Sequence, residues 1–169
     1  YGGSIKNRAR LALEVVRAVA DEIGAGRTAI RLSPVTPAND IVDDNPQQLF
    51  DYLLHHLAPL GLAYIHIIEG ATGGPRELPE RPFDYAALKA VYRSGGGQGA
   101  WMVNNGYDLA LANQSLAGGA DLIAFGKAYI ANPDLVARLR RGGPFNPPDK
   151  MTFYGGGEKG YTDYPTLEA

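Results

Sequence analysis

Helix-period and strand-period stretches alternate along this chain without a break, and that alternation constrains the fold more than any single residue. Leu11, Val15, Val16 and Val19 fall at helical spacing behind Ser4, a good N-cap. Ser4 to about Ile23 therefore reads as a helix, ended by Gly24 and Gly26. "RTAIRLSP" follows as a short strand stopped by Pro34, and a polar loop leads to Pro46 at the start of a second helix bearing Leu49, Leu53, Leu54 and Leu57. "LAYIHII" is a buried strand, "DYAALKAVYRS" a helix and "GAWMVNN" a strand. "DLALANQSLAG" is a helix, "ADLIAFG" a strand and "NPDLVARLRRG" a final helix. Four strands, near Ile30, Ile65, Met102 and Ile123, with helices between them predict a parallel sheet with right-handed crossovers.

Two architectures share this pattern. A doubly wound sheet closes with four or five strands, whereas a (β/α)8 barrel needs roughly 200 residues or more. The 169 residues here would hold half a barrel. The first residue is Tyr1, and the expectation is a piece of a longer protein or a processed chain, which favours the half-barrel.

Composition narrows the chemistry. With no cysteine, disulfide, thiolate and cysteine–zinc chemistry are excluded. A net charge of −2 argues against a general nucleic-acid or membrane-surface binder. No apolar run approaches the roughly 20 residues of a membrane helix, no secretory signal opens the chain, and the expected location is cytoplasmic.

Parallel α/β folds collect ligands where their strands end. The strand near Ile123 ends in Gly126-Lys127 beside a helix start, and the strand near Met102 ends in "NNGYD", with Asp108 near the next helix start. Glycine admits close backbone approach, free helix N–H groups attract anions, and lysine adds a point charge, so phosphate is the natural guest. The alternative is a pair of sharp strand-to-helix turns with Lys127 solvated. Arg31 at the first strand's end suits an anionic ring or carboxylate, or else an ion pair with Asp40 or Asp43. His66 reads as a satisfied core residue, and "SGGGQG" at 94–99 as a flexible connection. The tail "MTFYGGGEKGYTDYPTLEA" has aromatics on a glycine-rich loop, which either cap a flat ligand or pack down a terminus.

"YGGSIKNRAR", "IRLSP", "NNGYD", "DLIAFGKAYIANPDLVARL" and "FYGGGEKGYTDYP", in this order, resemble the C-terminal half of the Old Yellow Enzyme family of flavin-dependent ene-reductases, which includes the N-ethylmaleimide reductases. The resemblance covers essentially the whole chain. It implies an α/β fold, the C-terminal half (about four βα units) of a (β/α)8 TIM barrel, spanning residues 1–169 with a C-terminal tail at 141–169. It further implies FMN held non-covalently at the strand ends and NAD(P)H as reductant, with hydride passing from reduced flavin to an activated alkene or a nitro compound.

By the same resemblance, Arg31 stands beside the flavin pyrimidine, Asn105 and Gly106 form one phosphate-binding turn, and Gly126 and Lys127 form the other. Phe153 and Tyr154 flank the dimethylbenzene edge and the substrate opening, so Tyr154 also contacts substrate. Lys127 departs from the arginine usual in the family; it can still pair with phosphate but loses the bidentate fork and the option of packing flat on the flavin, so binding is expected to survive in weaker form. The family's substrate-binding His-x-x-Asn or His-x-x-His pair and its proton-donating tyrosine lie upstream of the matched motifs. No catalytic residue is therefore assigned to this chain. The expectation is a chain inactive alone that needs a complementary N-terminal half-barrel polypeptide. The alternative is a non-catalytic half-barrel that self-associates and at most binds FMN or phosphate.

Overall fold

A sheet of four parallel strands, each beside the next in chain order, organises the molecule. The computed structural model describes residues 1–38, 41–155 and 157–167. Helix α1 (Ile5–Ile23) starts where Ser4 accepts a hydrogen bond from the Asn7 amide and stops at Gly24, whose φ of 95° few other residues adopt. Strand β1 (Ala29–Leu32) leads to α2 (Pro46–Leu57), then β2 (Tyr64–Ile68), α3 (Tyr85–Ser94) and β3 (Ala100–Asn104). Helix α4 (Leu109–Ala117), β4 (Leu122–Ala124), α5 (Lys127–Ala131) and α6 (Leu135–Arg141) complete the order. Asp84 and Asp108 cap α3 and α4 by accepting from the Ala87 and Leu111 amides, both at 2.8 Å. The strand expected over "ADLIAFG" is only three residues long, and a separate five-residue helix, α5, stands between it and α6.

Register explains the two faces of the sheet. Ile65 pairs with Ile30 and Trp101, and Ile67 with Leu32 and Val103. Alternate residues point the same way, and this set is packed against Leu13 and Val16 of α1, Leu53, Leu54 and Leu57 of α2, and Leu88 and Tyr92 of α3. Burying each large side chain of this cluster stabilises the fold by about 1.5–3 kcal/mol. The opposite face carries Arg31, His66 and Met102 side by side. Helices α1, α2 and α3 therefore share one face, and the strand order never reverses. A doubly wound sheet needs both a reversal and helices on two faces, so that reading is set aside.

The expected first helix is present, with packing selecting one of its faces, and two further expectations are corrected. In α1 only Val16 of the four apolar residues singled out is buried. Leu11 and Val15 are 52% exposed and Val19 40%, because the core takes the neighbouring stripe Ala9, Leu13 and Val16. The "SGGGQG" connection is packed, not flexible. A side chain at Gly97 would collide with the Tyr92 ring and one at Gly99 with the Leu62 carbonyl oxygen. Arg93 donates to the carbonyls of both glycines at 2.9 and 2.8 Å. His66 sits on the sheet face away from the helices, its Nε2 buried without a partner among the described residues, so it is not a satisfied core residue. Burial, and then the charge of Arg31, hold the His66 imidazole below its ordinary pKa.

Candidate functional site

The ends of β1, β3 and β4 open into a cleft of about 470 Å³, within the size range of small-molecule sites. Arg31 reaches it from β1, Asn105 and Gly106 from the turn after β3, Gly126 and Lys127 from the turn after β4, and Phe153 and Tyr154 from the tail. All seven residues that the resemblance singled out thus line one space. Arg31 is exposed there and has no carboxylate partner among the described residues. Asp43, one alternative for it, is taken by Arg8 at 2.9 Å, and Asp40 lies outside the described residues.

Residues that sequence reasoning did not assign also line this cleft: Lys150, Thr72, Gly73 and Tyr107. Lys150 sits in the tail, in a 3-10 turn over Lys150–Thr152 capped by Asp149. No local signal marks it, because only the return path of the tail brings it beside Lys127. The lining holds three cations, Arg31, Lys127 and Lys150, and no Asp or Glu among the described residues. In a chain of net charge −2, that is a local reversal of sign suited to an anion.

The two turns offer less helix dipole than their sequences suggest. Helix α5 has five residues, too few for a substantial macrodipole, so the charge at this end comes from Lys127. The first turn of α4 is already occupied by the Asp108 carboxylate. Gly126 itself has a φ of −98°, and a Cβ there would meet nothing within 4 Å. Neither backbone conformation nor the chain's own packing requires glycine at 126; the open space beside it leaves room for a ligand against the backbone, and in that respect the residues present fit a phosphate-bearing group. Phe153 and Tyr154, rings edge to face at 6.4 Å, supply flat apolar surface at the mouth, with Tyr154 94% exposed.

Tyr107 is a wall rather than a proton donor. Its hydroxyl donates to Glu69 at 2.7 Å and accepts from Arg76 at 3.2 Å. Burial first, and its bond to Glu69 against the opposing pull of Ser115, push the phenol up to about 12.

The tail is seated by polar contacts. Buried Arg138 pairs with Asp134 at 2.6 Å and donates to the carbonyls of Pro144 and Pro165 at 2.6 and 2.7 Å. Asn146 donates to the carbonyls of Ala131 and Pro165, at 2.9 and 2.8 Å. The Leu167 amide, then Arg138, hold the Asp134 carboxyl below its ordinary range. This network fixes α5 and the tail together, and with them Lys127, Lys150 and Phe153.

Relatives carry the same chain path. A putative 12-oxophytodienoate reductase 12 of Oryza sativa subsp. japonica is 41% identical over 99% of this chain and 42% of its own length. The 12-oxophytodienoate reductase 2 of Arabidopsis thaliana is 37% identical over 100% of this chain and 44% of its own. Among solved structures, morphinone reductase in complex with tetrahydroNAD superposes with a TM-score of 0.85 at 43% identity, covering 99% of this chain and 43% of that one. The old yellow enzyme homologue from Zymomonas mobilis gives 0.89 at 35% identity, covering 99% and 46%. The chain spans about half the length of the curated relatives it matches. A sequence profile of flavin oxidoreductases accounts for residues 1–146, from the first helix through α6 and short of Lys150, Phe153 and Tyr154. With the parallel strand order, this match means that the chain belongs to the NADH:flavin oxidoreductase / NADH oxidase family.

Proposed function

We propose that this chain is the C-terminal half of a (β/α)8 barrel and the FMN-binding half of an NAD(P)H-dependent ene-reductase acting on activated alkenes or nitro compounds. The carrying observation is the cleft itself, with three cations, no carboxylate among the described residues, a glycine whose missing side chain leaves open space, and two aromatic rings at the mouth. Gly106, Gly126 and Lys127 hold the phosphate, with Lys150 adding charge. Arg31 sets a positive charge at the ring end, where a guanidinium with no carboxylate partner among the described residues favours electron-rich ring states. Phe153 and Tyr154 exclude water from the ring edge, and Tyr154 borders the substrate. FMN, when bound, supplies the capacity to accept hydride from NAD(P)H and to deliver it to the substrate.

The Tyr107 hydroxyl is held on Glu69 and is not free to protonate an alkene. In this reading a complementary N-terminal half-barrel polypeptide provides the acid and the substrate-binding side chains. Its docking surface is the stripe Leu11, Val15, Val19 and Ile23, each at least 40% exposed on α1, with the unpaired edges of β1 and β4. The test mixes the chain, the complementary half and FMN, and follows NADPH oxidation with 2-cyclohexenone. Oxidation that needs both halves is expected, and none with both halves folded overturns the reading. Val15→Asp with Val19→Asp is expected to abolish complementation while leaving the chain's own helicity unchanged by circular dichroism. The same exposed stripe favours a second reading, a non-catalytic half-barrel that self-associates. A stable dimer by size exclusion that binds FMN yet never gains reductase activity would support it.

A further inference from the structure

We propose that Asn105 is a positioning residue, and that it holds the segment Gly70–Gly74 as a wall of the cofactor cleft, where Thr72 and Gly73 meet the ligand. The proposal rests on the FMN reading above and adds to it a loop, the one after β2, to which no ligand role has been given.

Asn105 is 5% exposed, and its backbone φ is 121°. That left-handed region favours glycine, and among the described residues Asn105 is the one non-glycine to enter it. The side chain explains why asparagine stands there. Its Nδ2 donates to the carbonyls of Glu69 at 2.7 Å and Ala71 at 2.8 Å, and its Oδ1 accepts from the Gly73 amide at 3.2 Å. The carboxamide is spent on the loop and is not free to hold phosphate. Backbone strain at the cleft is thus offset by three bonds that fix a neighbouring segment.

Independent contacts fix the same segment from the other side. Thr36, after β1, donates to the Gly70 carbonyl at 2.9 Å and meets the Thr72 hydroxyl at 3.1 Å. The Gly70 amide donates to Tyr85 at 2.7 Å. Thr72 and Gly73 share the cleft with Gly106 and Lys127. A wall already in place at binding need not be ordered by the ligand, and affinity gains accordingly.

Asn105→Gly tests this, because glycine adopts the same φ without strain and removes only the clamp. Hydrogen exchange of the peptide spanning residues 69–76 is measured without ligand, and FMN affinity by flavin fluorescence. Wild type is expected to bind FMN and to slow exchange in 69–76 on binding. Asn105→Gly is expected to raise ligand-free exchange in that peptide and to weaken FMN about tenfold, the cost of ordering the wall at binding, with little change in thermal midpoint. If Asn105→Gly does not fold, Asn105→Asp, which keeps the acceptor and loses both donors, is read by the same exchange. Unchanged exchange in 69–76 overturns the clamp. A loosened segment with unchanged FMN affinity overturns the wall. Failure of wild type to bind FMN overturns the cofactor reading, and the ligand role of the wall with it.

Discussion

Two regions of this molecule are held together by different physics. From α1 to β3 the chain is bound by apolar burial: Leu54, Leu57, Ile65, Ile67 and Leu88 are wholly shielded and belong to one cluster. From β4 onward, beside Ile123 against that cluster and the buried Ala131 and Leu135, the chain is tied by directed polar contacts, with Arg138, Asn132 and Asn146 bridging α5, α6 and the tail. The first region is tolerant of detail, because the hydrophobic effect has no direction. The second is not, since a buried charge that loses its partner is left uncompensated. The cleft lies between them: its floor belongs to the first region, and Lys127, Lys150 and the aromatics to the second.

The sharpest way to break that contrast is Arg138→Ala. Truncation removes the buried guanidinium's bonds to Asp134 and to the carbonyls of Pro144 and Pro165, and the loss is expected to release the tail. Limited proteolysis should cut within residues 142–167 while circular dichroism of the remainder persists; a tail that stays protected would contradict the polar-staple account. Leu57→Ala should act in the opposite region and globally, lowering the unfolding free energy read from urea denaturation by about 2–5 kcal/mol through the cavity it leaves. Lys127→Ala is expected to weaken FMN about tenfold, the scale of one charge-assisted hydrogen bond, and Lys127→Arg to strengthen it; equal affinities by fluorescence titration would remove Lys127 from the site.

The smallest effect is that of pH. His66 is held below its ordinary 6.5, so the unfolded chain takes up a proton that the folded chain resists. Stability is then full above 6.5 and lost as pH falls through it. Asp134 is depressed below 3.8, so its contribution is present above that value and lost as pH falls further. Urea midpoints measured from pH 7 to 3 should fall in two stages, and His66→Gln should abolish only the first.

Helix starts were legible because capping is local: Ser4, Asp84 and Asp108 each accept from an amide three residues on. The strand positions followed from apolar runs between glycines and prolines. The buried face of α1 was not legible, since two apolar stripes run along that helix and only packing chooses Ala9, Leu13 and Val16 over Leu11, Val15 and Val19. Nor was the use made of Asn105: an asparagine before glycine suggests a turn, and its carboxamide's partners lie more than thirty residues away.

By itself, then, the sequence determined the alternation of helix and strand, their order, and the glycine and lysine that end β4, because propensity, capping and periodicity act within a few residues. The tertiary structure alone decided that Lys150 joins Lys127 and Arg31 in one cleft and that the loop after β2 becomes a wall. Those outcomes depend on where distant segments come to lie, and the chain reports such meetings only once its core and its polar staple have closed around them.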